Sequence, residues 1–570
     1  MRTMKRVAIL LTMCLLAALP CAGRVVERTF LTTDRDVYVA GDNVWISAFC
    51  TDASTGRLSG VSAVAYVELH SADGAVQELK IALRRGRGAG CMTLLASLPT
   101  GNYRLVAYTA QNKAEKGYDY EGVASKTISV FNVLSKERVK NGVTVLTPEE
   151  YSGLQKEGTS KACGGIGISI PEERPQEGFL PVHISNNGAA GAVFSVSIYN
   201  EDGIRHPANP GPLEFVSRLR DVKAGEIPTD FVPEFEGEMI RGRIAGASPA
   251  ILDSLKGRYA FIAAPGDGYD IYASGIADDG SLLFHTGNIY GMRDLVCEIE
   301  GVDSTSACHI ELEDPFVRAE VPAPELLSIS ESLAPALKER SMSMQIERRF
   351  MSDTLFSWFR VKGSSLVGPD PIRYNLEDYR RFPLMKEVFS EIIHEIRIAG
   401  NSRRGRTFSI GLMDSHKRSV PSAHETLVLL DGVPVFNHDK LYNYDPLLVK
   451  YIDLYPYPYL VGTKFYDGVI SFVTYKGNMP TMTFDGNVRI VGFKGASFPQ
   501  AYTCSFLTPG DSYPDYRRTI YWNPLVEVPS GGSFGALVKL PDYKGDFTVV
   551  VEGFDSEGRP VCAKSSFSVR

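Results

Sequence analysis

Thr33-Asp34-Arg35-Asp36-Val37-Tyr38-Val39-Ala40-Gly41-Asp42-Asn43-Val44-Trp45 holds two short apolar runs on either side of a glycine turn. Gly41 lets the chain turn, and Tyr38 and Trp45 supply large core area. Leu98-Pro99-Thr100-Gly101-Asn102-Tyr103-Arg104-Leu105 repeats the scheme, a turn glycine followed by an aromatic strand. Between and after these stretches, alternating or β-branched runs predict strands over 44–50, 64–70, 78–83, 90–94, 103–108 and 126–131. The pattern continues downstream, where Phe194, Val196 and Ile198 alternate before Asn200-Glu201-Asp202-Gly203. Asp73-Gly74, Asn141-Gly142, Asn187-Gly188, Asp202-Gly203, Asp267-Gly268 and Asp279-Gly280 punctuate the runs with pairs that tolerate tight hairpins. The reading is a mainly β protein of tandem β-sandwich domains.

The first unit, residues 24–135, resembles a macroglobulin-type sandwich domain of the alpha-2-macroglobulin family, on the strength of 33–45 and 98–105. A second stretch carries another resemblance. Leu427-Val428-Leu429-Leu430-Asp431-Gly432-Val433-Pro434-Val435 is followed by Val449-Lys450-Tyr451-Ile452-Asp453-Leu454-Tyr455. Phe465-Tyr466-Asp467-Gly468-Val469-Ile470-Ser471-Phe472-Val473-Thr474-Tyr475-Lys476 then closes the unit. The order and spacing are similar to the plug domain of TonB-dependent outer-membrane receptors. Asp431, Gly432, Val433, Pro434 and Gly468 form the signature. The resemblance implies a small α/β domain and partnership with an outer-membrane barrel or TonB component. The 94 residues after Lys476 are expected to form one more β unit, too little for a barrel of about 22 strands.

Seven segments follow. Residues 1–23 read as a signal peptide, with a cationic start at Arg2, Lys5 and Arg6, an apolar stretch over 7–19, and a small-residue site at Cys21-Ala22-Gly23. Cleavage near Gly23 is the first choice. A lipid anchor at Cys21 is the alternative, disfavoured by Pro20. Residues 24–135 and 136–230 read as two sandwiches, and 231–320 as a sandwich similar to small regulatory-type β-domains. Residues 321–375 read as a helical linker in which Leu326, Ile329 and Leu333 recur at helical spacing and Pro335 breaks the run. Residues 376–478 are the plug-like α/β domain, opened by a helix over 383–396 with an apolar stripe of Met385, Val388, Phe389, Ile392, Ile393 and Ile396. Residues 479–570 read as a C-terminal β domain.

The chemistry points to binding. A net charge of -7 without a dense Lys/Arg stripe argues against nucleic acid, and Arg84-Arg85-Gly86-Arg87 and Arg403-Arg404-Gly405-Arg406 read as solvated loops. Gly531-Gly532-Ser533-Phe534-Gly535 lies between strands, so a hairpin suits it better than a nucleophile elbow, which needs a following helix. His394-Glu395 lacks the second histidine of a zinc motif because Ile398 stands there. Neither the thioester run of covalent macroglobulins nor a phosphate loop is present. No cofactor, metal or catalytic residue is expected. Cys297 and Cys308 flank Gly301-Val302-Asp303-Ser304, which reads as a hairpin turn carrying either a disulfide or two buried thiols. The expected function is a non-enzymatic protein-binding scaffold of a gram-negative envelope, in the periplasm or at the outer-membrane surface. The alternative is a macroglobulin-like endopeptidase inhibitor.

Overall fold

Strand makes up 47% of the described residues of the computed structural model and helix 13%, the balance of a mainly β protein. The structure describes residues 25–120, 125–135, 143–154, 162–171, 178–223, 225–229, 231–266, 268–287, 289–302, 307–351, 356–358, 370–413, 419–420, 424–498, 500–502 and 515–570. The stretch read as a signal peptide, with Cys21, the expected turn at Asn141-Gly142, Asp267, Asp303-Ser304, much of 352–369 and Cys504 lie outside the described residues. Among the described residues no helix is long and apolar enough to cross a membrane. The chain divides into two units. The first comprises the residues up to Phe235, Arg318–Trp358 and Pro499–Arg570, and the second Glu236–Val317 and Phe359–Phe498.

In the first unit, one sandwich packs β1 (Glu27–Thr33), β3 (Asn43–Asp52) and β6 (Arg87–Thr93) against a five-stranded sheet. That sheet runs in the order β2 (Val37–Val39), β8 (Ser125–Phe131), β7 (Gly101–Tyr108), β4 (Val64–Ser71), β5 (Gly74–Ala82). Tyr38, Val44, Ile46, Val67, Leu69, Tyr103 and Leu105 share its core, which is the interior that Gly41 and Gly101 were expected to fold around. Strands β1 and β3 are buried on both faces. Leu31 and Ile46 point into the first core, whereas Phe30 and Phe49 join Phe215 and Phe554 in a separate aromatic cluster.

The second sandwich is built from both ends of the chain. β11 (Phe179–Asn186) lies between β10 (Ile166–Ser169) and β33 (Ser533–Lys539). β12 (Ala192–Glu201) lies between β32 (Thr519–Val528) and β34 (Gly545–Asp555), with β35 (Pro560–Val569) outside. Residues 479–570 are therefore no domain of their own. Phe194, Val196 and Ile198 alternate as expected, but Ile520, Val526, Phe547, Val549 and Val551 from the far end of the chain complete the core around them. Residues 136–230 alone supply β10 and β11 of the facing sheet but leave β12 without a neighbour in its own sheet.

Polar contacts fasten the two sandwiches together. The buried Asp34 carboxylate accepts from Tyr38 Oη at 2.8 Å, Trp45 N at 3.0 Å and Thr519 Oγ1 at 2.6 Å. Arg35 donates to Asp34, Asp42 and Thr519 at 2.8–2.9 Å, the last partner lying 484 residues away. Ser47 Oγ donates to Pro524 O at 2.8 Å. A disulfide joins Cys163 to Cys562 on β35.

In the second unit, β13 (Met239–Ala245), flanked by β16 (Ser281–His285) and β18 (His309–Leu312), faces a four-stranded sheet. That sheet is ordered β15 (Asp270–Gly275), β14 (Tyr259–Ala264), β17 (Met292–Ile299), β30 (Arg489–Lys494). Its last strand thus also comes from the segment assigned to the tail. Cys297 and Cys308 are not bridged. Cys297 lies in β17 and Cys308 directly precedes β18, strands of opposite sheets, so these two strands are not hairpin partners. Both thiols end in the core between the sheets.

A second sheet follows in the order β21 (Ile372–Asn375), β28 (Val449–Val461), β29 (Lys464–Thr474), β26 (Leu427–Leu430), β27 (Val433–Pro434). β26 runs parallel to β29, pairing Leu427 with Val469 and Leu430 with Phe472. Phe261, Ala263 and Val296 from the back of the four-stranded sheet enter the same core as these strands. The expected helix over 383–396 is only Met385–Glu391, and Ile396 opens β22 (Ile396–Asn401), which pairs with β23 (Gly405–Ile410). Met385, Val388, Phe389, Ile393 and Ile396 are nevertheless all core residues, because alternation at Ile396 and Ile398 serves a strand as well as a helix. Short pairs complete the fold: β9 (Val143–Leu146) with β19 (Leu327–Ser330), β20 (Phe356–Trp358) with β31 (Gln500–Tyr502), and β24 (Leu412–Met413) with β25 (Ser419–Val420). β19 and a 3-10 turn over Glu331–Leu333 occupy the place of the helical spacing expected at Leu326, Ile329 and Leu333. Pro335 sits in the first turn of the helix Ala334–Ile346, where its missing N–H costs nothing.

Cys163→Ser with Cys562→Ser should lower stability by about 2–4 kcal/mol, since the bridge closes a very long loop. Denaturant titration checks this. The wild type with reductant should match the variant, and an equal midpoint for oxidised and reduced protein would contradict it.

Candidate functional site

The plug-like signature builds a corner. Asp431 follows β26 with φ 47°, a left-handed conformation that aspartate tolerates better than most residues. Its fully buried carboxylate accepts from Thr474 N, Thr474 Oγ1 and Met479 N, all at 2.7 Å. Its own N–H donates to Phe472 O at 2.8 Å. Gly432 comes next at φ 80°, where a Cβ would lie 2.5 Å from Gly268 O, so the position admits only glycine. Val433 and Pro434 then turn back beside Leu430 and Leu429. Gly468, at φ 90°, lets β29 pass 2.7 Å from Ile410 Cγ1, measured from the Cβ it lacks. The five residues fix the β26–β29 crossover. Four of them adjoin one another, and Gly468 serves the same strand pair from its other end.

A separate opening lies elsewhere in this unit. A groove of about 670 Å³ is lined by Arg241 of β13, Leu283 and His285 of β16, Ser274 of β15, Glu313, and Thr463 in the turn between β28 and β29. β15 and β16 are edge strands of their sheets, so two strand margins border it. Leu283 N donates to Ser274 Oγ at 2.9 Å, and that hydroxyl donates to Gly275 O at 3.0 Å, which ties the margins and engages the serine. Gly462 brings the turn against β15, with only 2.5 Å between its missing Cβ and Ala273 O. Leu460 and Phe465 face each other across the hairpin just behind this turn, 56% and 57% exposed. A guanidinium, an imidazole and a carboxylate around partly apolar walls suit a peptide-like ligand with both charge signs.

The β22–β23 ribbon is asymmetric. On the outer side of β23, Arg406 N donates to Asp439 Oδ2 at 3.3 Å, Phe408 N to His438 Nδ1 at 2.7 Å, and Ile410 N to Thr426 Oγ1 at 3.3 Å. Asp439 and His438 come from the short helix His438–Tyr442, packed beside β23. Burial pushes the His438 imidazole down to about 4, although the Glu425 and Asp439 carboxylates pull the other way. The neutral ring is the form that can accept from Phe408.

Of the other sequence candidates, Ser533 opens β33 directly after the turn from β32, and His394 lies in the turn after the helix Met385–Glu391. Among the described residues no three His, Cys, Asp or Glu side chains come together as a metal site requires. The groove escaped the sequence because its walls derive from strands and a turn nearly 200 positions apart. Gly462, in a two-residue turn between long apolar strands, was the one local sign of a close approach.

No family model matches the chain, and no curated protein matches it. Similar solved structures include trypsin-activated alpha-2-macroglobulin from Escherichia coli, at 8% identity and a TM-score of 0.23 over 95% of this chain and 41% of that one. Salmonella alpha-2-macroglobulin reacted with methylamine matches at 8% identity and 0.22, over 96% and 40%. The Escherichia coli adhesin FdeC matches at 8% and 0.14, over 48% and 60%. The chain spans about two fifths of the length of the macroglobulin structures it matches.

Two outcomes follow from the corner and the ribbon. Asp431→Ala strands three buried donors and strains the backbone, so it should cost about 3–5 kcal/mol in urea unfolding. Asp431→Asn should cost about half of that. His438 titrates lower in the folded chain than in the unfolded one, so its contribution to stability is full above about 6.5 and is lost as the pH falls towards about 4. The stability difference between wild type and His438→Gln should therefore change between pH 7 and pH 4.5, in the direction of a less stable wild type in acid.

Proposed function

We propose that this chain is a non-enzymatic binding and scaffold protein of a gram-negative cell envelope, and that its second unit is the part that engages other proteins. The observation that carries the reading is the groove beside the β28–β29 turn. It combines two strand margins, charges of both signs and an exposed Leu460–Phe465 pair on regular β-structure. Strand margins bind extended segments through main-chain hydrogen bonds, while adjacent apolar side chains supply anchoring area. Export is supported by the cationic and apolar N-terminus and by the Cys163–Cys562 bridge, which suits an oxidising compartment. The plug-like order of β26, β28 and β29 favours an outer-membrane barrel or a TonB-type component as partner.

A photo-cross-linker placed at Thr463 in intact cells tests this. Capture of an outer-membrane barrel or TonB component supports the plug-like role. Capture of secreted proteases alone moves macroglobulin-like inhibition to the front, and absence of any envelope component counts against the reading. Leu460→Asp with Phe465→Asp should leave the melting temperature within about 4 °C, because both side chains are largely exposed. The same change should reduce capture about tenfold.

A further inference from the structure

The two margins of the β22–β23 ribbon are built for opposite purposes. In an antiparallel pair, residues opposite one another either bond to each other or both point away. Arg406, Phe408 and Ile410 of β23 donate outwards to Asp439, His438 and Thr426. Their opposites Ile398 and Ile396 therefore also point outwards, on the margin of β22, and Gly400 ends that margin in a left-handed conformation at φ 84°. There nothing among the described residues meets the N–H and C=O groups of Ile398 and Gly400. Natural sheets block margins that should not pair, with side chains, charges or bulges. This ribbon blocks one margin at each alternate N–H and leaves the other bare.

The bare margin has a recognisable chemistry. Ile398 is 37% exposed and stands opposite the core residue Phe408, so it extends the core face to the rim. Arg397 lies on the other face of β22, and Arg403 and Arg404 stand in the turn. All three are exposed, and none is ion-paired among the described residues. The neighbouring acid, Glu395, accepts from Tyr374 Oη at 2.7 Å. We infer that the margin of β22 is a docking site for an extended acidic segment of a partner protein. The segment adds as a third strand beside Ile398 and Gly400, with its carboxylates towards Arg397, Arg403 and Arg404. This rests on the protein-binding reading above and names a site and partner chemistry separate from the groove.

The test uses the full chain and a fluorescein-labelled decapeptide that alternates Glu with Val, with a Lys–Val decapeptide and phosphatidylglycerol vesicles as competitors. Anisotropy should show binding of the acidic peptide alone, weakened by salt, and hydrogen exchange should slow at Ile398 and Gly400 in the complex. Ile398→Pro removes one outward N–H without touching the ladder to β23, and should weaken binding about tenfold. Arg403→Glu with Arg404→Glu should do the same, and keeps the test valid where the proline variant melts early. Unchanged affinity in both variants, equal binding of the Lys–Val peptide, no exchange protection, or vesicles displacing the peptide would each overturn the proposal. Thr463 cross-links that persist in Ile398→Pro cells would leave the protein-binding reading standing in that event, whereas loss of all cross-links in wild-type cells would remove the reading itself.

Discussion

The position of β12 between β32 and β34 is the constraint on which the rest of the first unit depends. Ala192 to Glu201 is a single strand from the first half of the chain, and both neighbours come from its last segment. Neither group can bury its apolar face alone. Folding of this sandwich must therefore wait for the far end of the chain, a high-contact-order requirement that makes pairing slow. Along the sequence, Glu236 to Phe498 is inserted between β12 and β32, apart from the return of Arg318–Trp358 to the first unit.

The joint between the two sandwiches mixes two kinds of contact. Phe30, Phe49, Phe215 and Phe554 supply area, with ring centroids 5.1–6.5 Å apart. Asp34, Arg35, Asp42 and Thr519 supply direction. A buried ion pair contributes little net stability, because desolvation offsets most of the attraction. It does penalise any arrangement that leaves one charge unmatched. The aromatic cluster would tolerate a sliding of one sheet over the other, and the hydrogen-bonded charges would not.

Local patterns revealed the elements more fully than their partners. The first sandwich was legible because all its strands lie within one continuous stretch, with Gly41 and Gly101 marking turns and Tyr38 and Tyr103 marking the core. The Asp431–Pro434 corner and Gly468 were legible because backbone geometry demands particular residues there. The tail reads as separate in the sequence because strand alternation in 519–569 states which face is buried and says nothing of what covers it. Cys297 and Cys308 were placed on a hairpin for the same reason, since alternation cannot tell a turn within a sheet from a crossing between sheets. The helix over 383–396 ran too long because Ile392, Ile393, Ile396 and Ile398 satisfy both periods. The ribbon's open margin was invisible, as it depends on what Thr426, His438 and Asp439 do for the opposite strand.

The Cys163–Cys562 bridge spans 399 positions. The whole of the second unit lies inside the covalent ring that it closes, whereas β1 to β8 of the first unit lie outside it. A single backbone cut anywhere in that ring, in the β22–β23 turn or the β28–β29 turn for instance, opens the ring without releasing a fragment. The two pieces stay joined through sulfur until a reductant reaches them. A nicked molecule thus keeps its mass and its strand complement in an oxidising compartment and comes apart only where thiols are abundant, so the location of the molecule, as much as the protease, determines whether cleavage becomes separation.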